Sequence, residues 1–406
     1  MNEKIQEVLQ WGQTVPVKYS YDTLVAGGGI AGVAAALAAA RHGARTLLVE
    51  REFGLGGLGT LGLIAIYLPI NDGAGHCYSQ GIARELMDLS IRHGAIVLKR
   101  HDLGCPDETL PLDTPIDHRQ RLRFHYDPRV YAIELEQLLR QEGVDILYGT
   151  DVAGAFTEAD RITHVLLQNR DGLSAVKVKT AVDATGDAVL AALSGAETAD
   201  YQGDNIMASW YESLEDGADH LVYLGLADAE KAEQLSDSIR KFWQVHSAED
   251  ISRFTETSHA SSLRHFLDKG EVSPAHMMTA MTAVPQIRMT RRLVGAYTQD
   301  IDEIFREYED SVGMFVNWRK AGPAYELPFG CLYGKRFRNL LAAGRCISHT
   351  DELWELSRVI PVCAVSGQAA GTAAALGEDF PRMDIKLLQE TLRKDGVILH
   401  AKELEN

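Results

Sequence analysis

Apolar and polar positions along this chain change rhythm several times, and each change marks an element. Asp22-Thr23-Leu24-Val25-Ala26 is an apolar run of strand length. It stops at Gly27, Gly28 and Gly29 and resumes from Ile30 to His42 as an alanine-dominated segment that predicts a buried helix. Gly43 ends that helix, and Arg45 to Glu50 predicts a second strand. A glycine-rich loop from Gly54 to Gly62 leads into an apolar stretch ending at Pro69, and a helix is expected from Gln80 to His93. Asp127-Pro128 reads as an N-cap followed by proline at the first helical position, Gly143 closes that helix, and Val144 to Tyr148 reads as a strand. Between Val152 and Thr180 the period drops to two. Arg161 to Gln168 and Ala175 to Thr180 alternate around the turn Asn169-Arg170-Asp171-Gly172, which predicts a hairpin running into Ala181-Val182-Asp183-Ala184-Thr185-Gly186-Asp187.

From about Ala196 to Lys335 the texture shifts to helical segments with more aromatic and charged residues. The earlier style then returns in a strand from Asn339 to Ala343, the turn Gly344-Arg345, a polar loop, and a small-residue helix from about Val362 to Leu376. The expected fold class is α/β: a Rossmann-like domain with a parallel sheet and a β-hairpin or meander, plus an inserted mixed α+β substrate domain. Residues 1–20 are expected as an N-terminal extension and 21–195 as the first part of the ligand-binding domain, with 60–126 partly in loops around the ligand. Residues 196–335 would be the insert, and 336–406 the second part, ending in a C-terminal helix.

Composition narrows the class of partner. The 406 residues carry 40 basic and 57 acidic side chains, a formal charge of -17, spread along the chain rather than gathered in a tail. No stretch concentrates Lys and Arg, which argues against nucleic acid and against an anionic membrane. The N-terminus shows no apolar signal core, and Val359 to Leu376 carries Pro361, Ser366, Gln368 and Thr372, too polar to cross a bilayer. The five cysteines (Cys77, Cys105, Cys331, Cys346, Cys363) form no C-x-x-C pair. A disulfide framework, a zinc ribbon and an iron–sulfur cluster lose support, no metal is expected, and a cytoplasmic, soluble protein is.

Gly27-x-Gly29-x-x-Gly32 carries the chemistry. Gly27 permits a sharp strand-to-helix turn, Gly29 lets backbone approach a pyrophosphate, and Gly32 lets the helix pack on the sheet. The helix N-terminus then offers unpaired N–H groups to phosphate. Glu50, at the end of the second strand, can accept both ribose hydroxyls and disfavours a 2′-phosphate. The chain does not continue in further strand-helix units, as a nicotinamide domain would. A second glycine loop, a hairpin, and a distant strand and helix follow instead, the layout of a flavin site assembled from separate parts of the chain.

These blocks resemble the FAD-dependent oxidoreductases with a glutathione-reductase-like FAD domain, more distantly the fumarate reductase flavoproteins. The resemblance rests on YDTLVAGGGIAGVAAALAAARHGARTLLVER, GLGGLGTLGL, AVDATGDA, PQIRMTRRLVGAY, YELPFGCL, NLLAAGRCIS and SRVIPVCAVSGQAAGTAAAL, in order from residue 21 to 376. It implies FAD as cofactor, with Gly27, Gly29, Ala31, Gly32, Glu50 and Arg51 around the adenosine and pyrophosphate. It implies Gly56, Gly57 and Thr60 along the pyrophosphate and flavin, and Val152 meeting adenine through its backbone. Ala184, Thr185, Gly186 and Asp187 would close the adenosine pocket, and Gly344 and Arg345 would form a second contact turn, with Asp351 behind it. The helix opening near Val362, with Arg358 just before it, would aim its N-terminus at the flavin, where reduced-state negative charge is stabilised. Gly367 and Gly371 offer a smooth face to another backbone or to the ring.

Acid–base candidates lie on loops: His76 and Tyr78 after the apolar stretch, His125, and His349 behind the second turn. Each is either a catalytic group or an ordinary hydrogen-bonded histidine or tyrosine. Arg288, Arg291 and Arg292 form the tightest basic group; they either bind a carboxylate or polarise a carbonyl, or pair with a surface acid. No second strand-preceded G-x-G-x-x-G exists. Electrons therefore come from the substrate, from diffusing NAD(P)H or from an electron-transfer protein, and pairing into a homodimer stays open. The expected function is hydride transfer between flavin N5 and a small polar organic substrate. The alternative is a flavoprotein whose FAD is structural or regulatory, acting as a partner-binding module.

Overall fold

The computed structural model describes residues 12, 14–97, 108–110, 121, 123–215, 217–225 and 242–404; Cys105 and most of the expected N-terminal extension lie outside them. The chain opens with β1 (Val17–Ala26), α1 (Ile30–Arg41) and β2 (Thr46–Val49), the predicted strand-helix-strand unit. α2 (Ile82–Ile91) is shorter than expected because Gly81, at φ +63°, sets its start. α3 (Pro128–Gln141) has the predicted cap: the Asp127 carboxylate accepts the N–H groups of Arg129 and Val130 at 2.8 and 3.2 Å. Then come β3 (Asp145–Leu147), β4 (Asp151–Glu158), β5 (Arg161–Asn169), β6 (Gly172–Asp183) and the short α4 (Val189–Ser194). The expected hairpin is thus a three-stranded meander, and its last strand runs on to Asp183.

The middle of the chain holds β7 (Thr198–Asp200), β8 (Tyr211–Glu215), β9 (Ala218–Val222), α5 (Ala248–Lys269), β10 (His276–Met281), β11 (Arg291–Leu293), β12 (Ser311–Val316) and β13 (Ala324–Pro328). The last part adds β14 (Leu340–Ala342), α6 (Asp351–Ser357), α7 (Ile360–Leu376) and α8 (Ile385–Lys394). The long α5 has a capping box: Ser247 Oγ accepts the Asp250 N–H, and the Asp250 carboxylate accepts the Ser247 N–H, both at 3.1 Å.

A seven-stranded sheet organises the molecule in the order β3-β2-β1-β6-β5-β4, with β14 also on β6. β3, β2, β1, β6 and β14 run parallel; β5 and β4 are antiparallel. β6 is the pivot. Its first half, Gly172 to Lys177, pairs with β5, and its last three residues, Ala181 to Asp183, pair with β14 on that same edge. Asn339 holds the junction: Oδ1 accepts the Ile162 N–H, and Nδ2 donates to Ile162 O and Lys179 O, at 2.7–2.9 Å.

α1 and α7 cross at backbone contact. A Cβ on Gly367 would lie 2.3 Å from Ala31 O, and one on Gly371 2.0 Å from Ala35 O. The smooth face of α7 therefore meets another backbone, and α1 is buried between the sheet and α7. Gln368 of α7 accepts the Ile82 N–H at 2.8 Å, which satisfies a first-turn donor of α2.

The segment read as an insert does not behave as one layer. β9-β8-β10 form a separate antiparallel sheet, and Met207, Val245, Phe254 and Ile287 make a small core of their own. Val312, Phe315, Tyr325 and Leu327, from the hairpin β12-β13, instead join the main core with α1 and α7. Among the described residues no single helix is long and apolar enough to cross a membrane.

Candidate cofactor and active site

Four parallel strands end at the same level: Ala26 is in register with Val49 and Asp183, and Asp183 with Ala342. Their following loops, Gly27–Gly29, Glu50–Glu52, Ala184–Asp187 and Ala343–Arg345, emerge together and line a cavity of about 600 Å³. A crevice at the carboxyl ends of parallel strands is where such sheets bind ligands.

The glycines have distinct jobs. Gly27 is at φ +96°, and a Cβ there would lie 2.6 Å from Ala184 O; a Cβ on Gly32 would lie 1.8 Å from Gly27 O. Both are fixed by packing. A Cβ on Gly29 would meet nothing within 4 Å, and Gly29 lines the cavity, so its bare backbone faces open space a ligand can fill. Gly56 N–H donates to Gly28 O at 2.8 Å, which brings the second glycine loop against the first.

Glu50 is 8% exposed, and its carboxylate accepts the N–H groups of Gly28 at 2.5 Å and Glu52 at 2.8 Å. Burial still pushes its pKa upward. Beneath the Ala184–Asp187 turn, buried Asp183 accepts the N–H and hydroxyl of Thr185 and the N–H of Ala191. Burial raises its pKa as well. Arg345 ties the two late turns together, donating to Asp187 Oδ1 at 3.2 Å and to Ile287 O at 2.5 Å. Arg358, Ile360 and Cys363 bring the start of α7 to the wall, and Leu58 and Leu61 bring the second glycine loop.

A family model described as FAD dependent oxidoreductase matches residues 22–208 and 200–392. The chain belongs to the FAD-dependent oxidoreductases. Its cofactor is FAD, and it is an oxidoreductase enzyme. No curated protein matches its sequence. Among solved structures, a geranylgeranyl bacteriochlorophyll reductase-like protein from Thermoplasma acidophilum is 14% identical, covering 93% of this chain and 83% of that one, with a TM-score of 0.45. The 3-ketosteroid-delta4-(5alpha)-dehydrogenase from Rhodococcus jostii is 14% identical over 89% of this chain and 98% of its own, with a TM-score of 0.44.

The residues present fit FAD. An open glycine cradle, the N-terminus of α1, a carboxylate at the end of β2 and a second glycine turn surround one continuous space. Gly27, Gly29, Ala31, Glu50, Arg51, Gly56, Gly57, Ala184, Thr185, Gly186, Asp187, Gly344, Arg345 and Arg358 all line it. Four other candidates do not. Gly32 packs α1 on the β1 turn, Thr60 turns its hydroxyl to Leu55 O, Val152 lies within β4, and Val362 is buried in the core one residue before Cys363.

None of the six candidate catalytic residues lines the cavity in this flavoenzyme. His76 Nδ1 is 2.7 Å from Asp72 Oδ2 on a surface loop. Tyr78 packs with Met314, Val316 and Ala324, and His125 lies in a short strand beside Ile66. Arg291 donates to Asp187 O at 3.1 Å. His349 is fully buried against Phe315, with neither ring nitrogen hydrogen-bonded; burial, helped by the Arg292 charge, lowers its pKa to about 3. Arg288 is buried over the Trp210 ring.

Two parts of the wall escaped the sequence reading. Ile251, Ser252 and Thr255 come from the first turns of α5, and Val284, Pro285, Ile287 and Thr290 come from the segment before β11. The capping-box spacing Ser247-x-x-Asp250 was a readable signal for the start of α5; nothing in the sequence says which face of that helix meets the cavity.

Proposed function

We propose that this oxidoreductase passes hydride between flavin N5 and a small polar organic substrate held between the cofactor and the α5 side of the cavity. FAD supplies the two-electron chemistry when bound; the chain supplies binding, orientation and exclusion of water. The observation that carries the reading is one cavity shared by two walls. On one side stand the glycine turns and strand ends that suit a dinucleotide. On the other stand α5 and the 284–290 segment, which contain no dinucleotide signature and are free to contact something else.

In this reading the N–H groups at the start of α1 and the bare backbone at Gly29 and Gly57 receive the pyrophosphate, and Glu50 accepts the ribose hydroxyls. The start of α7, with Arg358 beside it, favours negative charge on the reduced ring. Reductant or oxidant arrives from solution as substrate, NAD(P)H or an electron-transfer protein. A cytoplasmic location accompanies the proposal, supported by Cys77, Cys331, Cys346 and Cys363 being buried free thiols.

The test is anaerobic flavin absorbance against a panel of sugars, hydroxy acids, amines and enoates. Bleaching by one member and recovery with an acceptor is the expected result; protein that stays colourless and fails to take up added FAD refutes the reading. A second reading, FAD as a structural element of a partner-binding module, draws on the absence of the six candidate catalytic residues from the cavity wall. Rapid bleaching by a metabolite excludes it.

A further inference from the structure

The α5 side of the cavity has one hydrogen-bonding character. Ser252, Thr255 and Glu256 line it from one face of α5, spaced i, i+3 and i+4, and Thr290 lines it from the segment before β11. Ser252 Oγ donates to Ala248 O at 2.9 Å and Thr255 Oγ1 to Ile251 O at 2.8 Å, the back-bonding that hydroxyls adopt inside a helix. Thr290 Oγ1 donates to Asp187 Oδ1 at 2.5 Å. A hydroxyl has a single proton to give. Each of these hydroxyls has given it to a neighbouring oxygen, so what it turns to the cavity is lone pairs. A carboxylate accepts and does not donate, and Glu256 supplies one. Every polar side chain that α5 and the 284–290 segment bring to the cavity is therefore an acceptor.

Charge points the same way. The whole wall carries three arginines against four carboxylates, and Arg345 is already held by Asp187 and Ile287 O. FAD adds its negatively charged pyrophosphate to that balance when it binds. Arg358 stands on the cofactor side, just before α7, while Glu256 is the charged group on the α5 side. An organic anion on that side meets like charge and acceptors; a cation with N–H groups meets their complement. Ile251, Val284, Pro285 and Ile287 put hydrocarbon around the acceptors, which suits the apolar body of a small molecule.

We propose that the α5 wall recognises a protonated amine, so that the substrate carries an ammonium group on an apolar body; this deepens the function proposed above and rests on it. Glu256 takes the charge, and the lone pairs of the Ser252 and Thr255 hydroxyls take further N–H groups. An ammonium has several donors and no acceptor, the reverse of this wall.

The test uses oxidised, FAD-loaded protein at pH 7 under anaerobic conditions. It is titrated with butylamine and with benzylamine, both protonated there, and with benzoate and benzyltrimethylammonium as controls; the visible absorbance of the flavin is the readout. FAD affinity is measured separately by fluorescence. At least one of the two amines should change the spectrum saturably, by a shift or by bleaching. Benzoate should not, and benzyltrimethylammonium, a cation without N–H, should bind more weakly than benzylamine. Glu256→Gln should weaken amine binding by about fivefold and Thr255→Val by about threefold, with the FAD affinity of both within about twofold of the parent. The proposal is overturned if neither amine acts on the FAD-loaded parent, if benzoate binds as tightly as the amines, or if Glu256→Gln binds amines as the parent does. It is equally overturned if Glu256→Gln loses FAD, which would assign the α5 wall to the cofactor. Should Glu256→Gln not fold, as judged by circular dichroism, Thr255→Val is held to the same measurements. Protein that takes up no FAD at all refutes the functional reading itself, so the two failures are distinguishable.

Discussion

Replacing His349 by asparagine should change how stability depends on pH. His349 is fully buried, stacks on Phe315 with ring centroids 6.0 Å apart, and has no hydrogen-bond partner at either nitrogen. Burial lowers its pKa from the usual 6.5 to about 3, and the nearby Arg292 cation acts in the same direction. In the unfolded chain the ring takes up a proton below 6.5, whereas the native chain resists until about 3. The unfolded state therefore binds more protons in that window, and native stability, undiminished above 6.5, falls as pH falls. At about 1.4 kcal/mol per unit once the ring is fully protonated in the unfolded state, the loss between pH 7 and pH 5 is about 2 kcal/mol. Urea unfolding of parent and His349→Asn at both pH values isolates the effect, since every other titrating group is common to the two. The parent should lose about 2 kcal/mol more than the variant. Equal losses, or a His349 Cε1–H resonance titrating in the native protein near its ordinary value, would refute the burial argument.

Other substitutions separate folding from cofactor binding. Gly32→Val should fail to fold, because its Cβ would sit 1.8 Å from Gly27 O, whereas Gly29→Ala should fold normally and lose FAD, because its Cβ enters the cavity; circular dichroism and flavin content read the two apart. Glu50→Ala should weaken FAD retention by about 1–3 kcal/mol, measured by equilibrium dialysis, and unchanged retention would count against a ribose-binding carboxylate. Asn339→Ala strands Ile162 N and two carbonyls at the β6 junction and should cost about 2–4 kcal/mol in thermal or urea unfolding. Ser247→Ala removes the α5 cap and should cost about 1 kcal/mol, with the cavity's α5 wall exchanging amide hydrogen faster.

The parts of this fold that could be read beforehand are those where one residue does a local job. Asp127 and Pro128 start α3 because a carboxylate and a fixed φ suit a helix N-terminus whatever surrounds them. Gly27 and Gly32 mark the turn because no other side chain fits there. What could not be read depends on residues far apart in sequence. β6 changes partner from β5 to β14 only because Asn339 fills the gap with side-chain hydrogen bonds to Ile162 and Lys179. Val362 falls inside rather than on the cavity because α7 begins at Ile360, and a helix shifted by two residues turns a different face outward. The histidines were misleading for the same reason: composition supplies candidates, while the Phe315 and Arg292 surroundings that make His349 a neutral core residue are tertiary.

An acidic chain holding an anionic cofactor looks contradictory only while charge is counted over the whole molecule. The cavity wall itself carries three arginines, Arg51, Arg345 and Arg358, against four carboxylates, Glu50, Glu52, Asp187 and Glu256, so even there the balance is not positive. Two of those acids, however, are already occupied. Glu50 is held by the Gly28 and Glu52 N–H groups, and Asp187 by Thr290 and Arg345. Each has become a fixed acceptor whose orientation is set by the turns around it. Attraction for phosphate then falls to dipoles that no charge count records, the unpaired N–H groups at the head of α1 and the bare backbone of the glycine loops. It follows that the wall needs its arginines for something more localised than neutralising FAD. Arg345 has such a job: it joins two turns of the wall, donating to Asp187 Oδ1 and to Ile287 O.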